Sequence, residues 1–282
     1  MEECDFKVTI VGLGLIGASY GLALKKLNYK NIFGVDISKA ILIKAEERGI
    51  ITKGYLSPKE ALQNSDLVII ALYPSETINF IKSNLSNFKP GAIITDTAGL
   101  KEEIVTEVNS FLSKDLDFIG GHPMAGREGK GIDMASAEIF KGASYILTPI
   151  KENSKENVEL LSKMAYSIGC SKVIKIDPKA HDNIIGYTSQ LPHILAITLI
   201  NSNECEAIDS FVGGGFKDLT RIAINNSDLW SELLLKNKDN LIHSINTFQR
   251  EIEDIKQAII SGDESFIKDK FEGANKKRRE IF

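Results

Sequence analysis

The run Val8-Thr9-Ile10-Val11-Gly12-Leu13-Gly14-Leu15-Ile16-Gly17 constrains this chain more than any other segment. Three glycines at Gly-x-Gly-x-x-Gly spacing are a weak signal alone. Here they follow a β-branched apolar run and open a helical pattern over about residues 15–27, the strand–turn–helix setting in which such a turn grips a dinucleotide pyrophosphate. Gly12 permits the tight turn, Gly14 lets the backbone approach the phosphates, and Gly17 lets the helix pack on the strand. The helix N-terminus adds free N–H groups and the positive end of its dipole. Gly12, Leu13, Gly14, Leu15, Ile16 and Gly17 are therefore the expected phosphate-binding stretch. Asp36 ends the next apolar run, about twenty residues on, where an acid takes the ribose hydroxyls and repels the extra phosphate of NADP. NAD is the expected cofactor. FAD uses the same turn, and a glycine-rich turn without nucleotide is the plain alternative.

Strand and helix patterns alternate through the first half. Short apolar runs at 6–11, 31–35, 67–72, 92–95, 118–120, 144–147 and 172–176 predict strands, with helices starting at Ser38 and Ser57-Pro58 and another over 155–168. Such alternation implies right-handed crossovers and a mainly parallel sheet. After Asp177-Pro178, an N-cap and N1 pair, the strand patterns stop. A long helix is expected towards Ile200, kinked at Pro192, then helices from Asp218 on with a break at Ser261-Gly262-Asp263. The expected division is 1–177 for a dinucleotide-binding α/β domain and 178–282 for an all-α domain, which suits a 282-residue chain.

A net charge of −4 weighs against a nucleic-acid or anionic-membrane surface, and the basic cluster Lys276-Lys277-Arg278-Arg279 reads as a solvated helix end. Cys4, Cys170 and Cys205 are too scattered for a disulfide framework or a metal site and fit a reducing compartment. The acidic N-terminus is unlike a signal peptide, and no apolar run approaches the roughly 20 residues of a membrane span, so a cytoplasmic location is expected.

Three further segments carry chemistry. Gly120-Gly121-His122-Pro123-Met124-Ala125-Gly126 follows a strand, so His122 stands where open α/β sheets bind ligands. It can take a hydroxyl proton as hydride leaves, or be a hydrogen-bonded loop histidine. Thr188-Ser189-Gln190-Leu191-Pro192-His193 surrounds the helix kink, and His193 can be functional or structural. His181 and His243 are expected at the surface or an interface. In Gly213-Gly214-Gly215-Phe216-Lys217-Asp218-Leu219-Thr220-Arg221-Ile222-Ala223, the glycines admit a close approach, and Lys217 and Arg221 are spaced to share a helix face. Arg221 suits a carboxylate ligand or an ion pair with a neighbour.

In this order and at these separations, the segments resemble the prephenate dehydrogenase family over nearly the whole chain. The resemblance implies a Rossmann-like domain with a mainly parallel sheet, followed by an all-α dimerisation domain like that at the C-terminus of 6-phosphogluconate dehydrogenase. It implies NAD-dependent oxidative decarboxylation of prephenate to 4-hydroxyphenylpyruvate in tyrosine biosynthesis, by a homodimer. His122 would take the ring-hydroxyl proton and Arg221 would hold a carboxylate. His193 would act beside them, with Gln190, Lys217, Glu128 and Trp230 lining the pocket. The chain resembles the stand-alone form, with no fused chorismate mutase or regulatory ACT domain.

Two departures from the family pattern concern the pocket. Gly99 stands where many members carry a Ser that positions the catalytic His, leaving Thr97 or a water for that contact. Gln190 stands where many have His; it can still hydrogen-bond substrate but cannot change charge near neutral pH. Three other readings stay open. Arogenate as substrate would give tyrosine directly. A β-hydroxyacid dehydrogenase would need a catalytic Lys in the helical domain, and none lies between Lys179 and Lys217. A catalytically silent NAD-binding sensor would not need both His122 and Arg221 in these settings.

Overall fold

The computed structural model describes residues 5–126 and 129–281. Eight strands, β1 (Lys7–Val11), β2 (Asn31–Val35), β3 (Lys53–Tyr55), β4 (Leu67–Ile70), β5 (Ile93–Asp96), β6 (Asp117–Pro123), β7 (Ser144–Thr148) and β8 (Lys172–Lys175), form one sheet in the order 3-2-1-4-5-6-7-8. Every pairing is parallel except β6 with β7. Helices α1 (Leu15–Lys26), α2 (Lys39–Glu47), α3 (Lys59–Asn64), α4 (Pro74–Ser83), α5 (Glu102–Phe111) and α6 (Lys155–Ser167) connect the strands.

The central strands read as unbroken apolar runs because both their faces are covered. Ile10 and Ile69 face a core with Leu24, Ile32, Phe140 and Leu161, while Val11 and Ile70 face another with Ile94, Ile104 and Phe118. Successive side chains thus point to opposite faces, as strand geometry dictates. The chain order reverses between β1 and β4, and ligands of open α/β sheets bind at such a switch point, outside the carboxyl ends of the strands.

Beyond β8 the described chain is helical: α7 (Pro178–Ile185), α8 (Leu191–Asn201), α9 (Gly214–Thr220), α10 (Ser227–Lys236), α11 (Lys238–Ser261) and α12 (Glu264–Ile281). Asp177 caps α7 through Oδ1, which accepts from the N–H groups of Lys179 and Ala180. The break before α8 is more than a proline kink. Gly186–Gln190 is a π turn that joins α7 to α8 and absorbs the mismatch that Pro192, lacking an N–H, forces on the helix. None of the described helices is long and apolar enough to cross a membrane.

The helical part is pinned onto the sheet part. Leu100, Ile185 and Leu233, with Leu229 against them, form a small apolar seam. Around it, Asp182 accepts from the backbone of Lys101 and Glu102 at 2.8 and 2.9 Å, and Glu232 accepts from Ser75 N at 2.8 Å. Two helix N-termini on the sheet side, those of α5 and α4, therefore take carboxylates from the helical side.

Candidate active site

A cleft of about 600 Å³ opens over the switch point, between the sheet and the helical part. Gly14, Leu15 and Ile16 of the glycine turn line one side, His122 at the end of β6 the middle, and Gln190, His193, Arg221 and Trp230 the other side. The sheet and the π turn thus bring together residues that are far apart in sequence.

The glycine turn fits a dinucleotide. Gly12 has φ +84°, and a Cβ there would lie 2.6 Å from Ala71 O. A Cβ on Gly17 would lie 1.9 Å from Gly12 O, so only glycine lets α1 sit against the turn. At Gly14 a Cβ would meet nothing within 4 Å, leaving the approach to the N-terminus of α1 open. That terminus carries no side-chain cap, so its N–H groups are available to phosphate. Asp36 stands beside it, its carboxylate accepting from Leu13 N at 3.0 Å and Ser38 N at 2.9 Å, with lone pairs remaining for ribose hydroxyls.

His122 does not stand alone. Its Nδ1 lies 2.9 Å from Nε2 of His181, whose Nδ1 lies 2.6 Å from Oδ1 of Asp182. Of the two places expected for His181, the surface or an interface, the structure gives the second: the residue is buried where α7 packs against the sheet domain. Behind the row lies a buried ion pair, Lys101 with Asp96, whose carboxylate also takes Ala98 N and Gly121 N. Burial first, then the neighbouring His181 and Lys101, push His122 well below the usual imidazole range. The ring is therefore neutral at pH 7.

On the helical side, the His193 ring stacks on Trp230 with centroids 3.5 Å apart. Its Nδ1–H donates to Ser189 O at 2.8 Å, which leaves the acceptor lone pair on Nε2. Burial lowers its proton affinity, only partly offset by that hydrogen bond. Arg221 ends α9 as its C-cap, with φ −51° and ψ −40°, and opens the turn Arg221–Ala223. Lys217, expected in the pocket wall, is exposed and is not among the residues of this chain that line the cleft.

Gln190 lines the cleft, but its amide is engaged: Nε2 donates to Leu233 O at 2.9 Å and Oε1 accepts from Asn237 at 2.7 Å. Glu128 lies outside the described residues. Gly99 and Thr97 both line the cleft, and a Cβ on Gly99 would sit 4.0 Å from His122 Nε2. Gly99 therefore stands next to the ring and offers it no hydroxyl.

Sequence reasoning also missed Tyr73, Lys130 and Asn226, all on the cleft wall, with Asn226 donating to the Tyr73 hydroxyl at 2.6 Å. Their spacing carried no motif. The adjacent His181-Asp182 pair at the first turn of a domain-boundary helix was the one readable sign of the buried row.

Comparison with known proteins agrees with this geometry. The family description "Prephenate dehydrogenase, nucleotide-binding domain" matches residues 20–174, and "Prephenate dehydrogenase, dimerization domain" matches residues 177–272. A prephenate dehydrogenase of Lactococcus lactis is 37% identical over 97% of this chain and 77% of its own length. The crystal structure of prephenate dehydrogenase from A. aeolicus, in complex with hydroxyphenyl propionate and NAD+, is 29% identical and superposes with a TM-score of 0.89 over 98% of both chains. That of Synechocystis arogenate dehydrogenase is 25% identical, with a TM-score of 0.84 over 98% of this chain and 100% of its own.

Proposed function

The chain belongs to the prephenate dehydrogenase family, and on that premise we propose that it oxidises and decarboxylates prephenate to 4-hydroxyphenylpyruvate with NAD. The observation that carries the chemistry is a neutral imidazole, His122, set between the glycine turn and the Arg221 side of one cleft. When bound, NAD supplies the acceptor for the hydride that leaves the hydroxyl-bearing ring carbon. His122 Nε2 takes the proton of that hydroxyl as the carbonyl forms. Loss of the ring carboxylate as carbon dioxide then leaves its electron pair in the ring, which becomes aromatic, and the phenolate oxygen recovers a proton from His122. Arg221 holds a substrate carboxylate, and the stacked His193 offers its Nε2 as a hydrogen-bond acceptor on the same wall. Trp230 holds that ring in place. Gly12 to Gly17 and Asp36 bind the cofactor.

We place the division between the cofactor half and the substrate half at Asp177, between β8 and α7, and read the helical half as the contact of a homodimer. Free thiols at Cys170 and Cys205 support a reducing, cytoplasmic setting. Arogenate, which differs from prephenate by an amine in place of the side-chain keto group, is the second reading, supported by the likeness to the Synechocystis enzyme.

The deciding experiment mixes the purified chain with NAD and either prephenate or arogenate and follows NADH by its absorbance. Prephenate is expected to give the higher kcat/KM. No NADH from either substrate overturns the proposal, and a preference for arogenate replaces it with the second reading.

A further inference from the structure

We propose that His181 and Asp182 are positioning residues that fix the tautomer of His122, so that a bare Nε2 lone pair, and not an N–H, faces the cleft. The inference rests on reading His122 as the base of the reaction above.

Asp182 is held by Lys101 N on Oδ1 and Glu102 N on Oδ2, at the N-terminus of α5, where a carboxylate is favoured. Its Oδ1 lies 2.6 Å from His181 Nδ1. A carboxylate only accepts, so that nitrogen carries the proton. With one proton, on Nδ1, the other nitrogen of His181, Nε2, accepts from His122 Nδ1, 2.9 Å away. The remaining nitrogen of His122, Nε2, is left without a proton and lies towards Gly99 on the cleft wall. A base needs that lone pair, because an N–H there could only donate to the substrate hydroxyl.

The charged groups around the pair are Asp182 on α7, and Asp96 and Lys101 from β5 and the segment before α5. Lys101 is committed to Asp96. The neighbouring Asn237 is neutral and donates to the Asp182 carbonyl at 2.9 Å, holding the start of the row from the α11 side. The opposite arrangement requires a doubly protonated His181, which would hand its Nε2 proton towards His122 and leave an N–H facing the cleft. This row also gives the ring an anchor on its far side, in a chain whose Gly99 offers no hydroxyl on the near side.

The test is imidazole 15N NMR of the whole protein, its four histidines assigned by single substitutions. In the wild type at neutral pH, His122 is expected to carry its proton on Nδ1. In Asp182→Asn the side-chain amide can donate to His181 Nδ1, which reverses both rings, and kcat is expected to fall about a hundredfold or more, as when a triad aspartate is amidated. Because Asp182 also caps α5, a second pair of variants separates orientation from folding. His181→Gln can still accept from His122 and donate to Asp182, and should retain kcat to within about tenfold. His181→Leu fills similar space without either bond and should lose about a hundredfold, with KM for NAD unchanged within about twofold. An Nε2–H tautomer of His122 in the wild type overturns the proposal, as do equal losses in the two His181 variants. The NMR measurement needs no substrate. Failure of the wild type to turn over either substrate therefore counts against the function reading alone, and the tautomer is decided separately.

Discussion

At the scale of single residues, His122 gathers most of the chemistry. Its depressed proton affinity has two consequences with definite signs. For catalysis, the base stays available below the imidazole's ordinary pKa of about 6.5, so the acid limb of kcat/KM should lie well below that value. For stability, the unfolded chain takes up the proton before the folded one as pH falls, so native stability is full above about pH 6.5 and declines below it. Rate profiles and urea unfolding over about pH 5 to 8 check both, and an acid limb at or above the ordinary value overturns the burial argument. His122→Asn should lower kcat about a hundredfold or more and leave NAD binding intact by calorimetry. His122 was legible in the sequence because glycines flank it at the end of a strand run. The partnership with His181 was not, since it depends on how α7 is laid against α5, a tertiary fact with no local period. Lys217 and Arg221 have a four-residue spacing that says nothing of how the end of α9 meets the rest of the molecule, and of the two it is Arg221 that lines the cleft.

The element proposed to grip the cofactor is a strand, a turn and a helix whose fit depends on missing side chains. Replacing Gly17 with Ala puts a methyl 1.9 Å from the Gly12 carbonyl oxygen, a backbone atom of a residue whose own N–H is tied to Val35 O just past the end of β1. The helix α1 must move away, at a cost above the ~1–3 kcal/mol of ordinary core overpacking. The expected result is a Tm lower by several degrees and NAD affinity lowered at least about tenfold, read by calorimetry. Unchanged affinity would mean that the turn does not bind the phosphates. By contrast Gly99→Ala meets Leu233 at 3.6 Å, ordinary contact, and should change kcat by less than about threefold. Elements with an apolar period were legible: seven of the strand runs lie on strands of the sheet. β3, with its sequence Lys-Gly-Tyr, has no apolar period to read because it lies at the sheet edge. The π turn was equally hidden, since a proline announces a break but not the register that heals it.

For the whole molecule, the question is what surrounds the turn that carries Arg221, the residue proposed to hold a substrate carboxylate. Arg221 lies in the turn Arg221–Ala223, after a seven-residue helix with no buried residue. Around it Phe211 and Ile224 are each 82% exposed and Leu219 66% exposed. Leu229 and Leu233 pack into the seam beneath the cleft. The exposed set is the part of the helical domain that this chain does not cover, and apolar exposure of that kind marks a contact surface in a dimerisation domain. A partner seated there would order the turn that carries Arg221, so assembly and substrate binding should be coupled. The double substitution Phe211→Glu with Leu219→Glu places two like charges on that face. It is expected to give a monomer by light scattering, with KM for prephenate raised about tenfold or more. NAD affinity should be unchanged, because the glycine turn lies in the other domain. A variant that stays dimeric with normal KM would move the interface elsewhere on the helical half. A monomer with normal KM would show that the seam residues alone hold Arg221 in place.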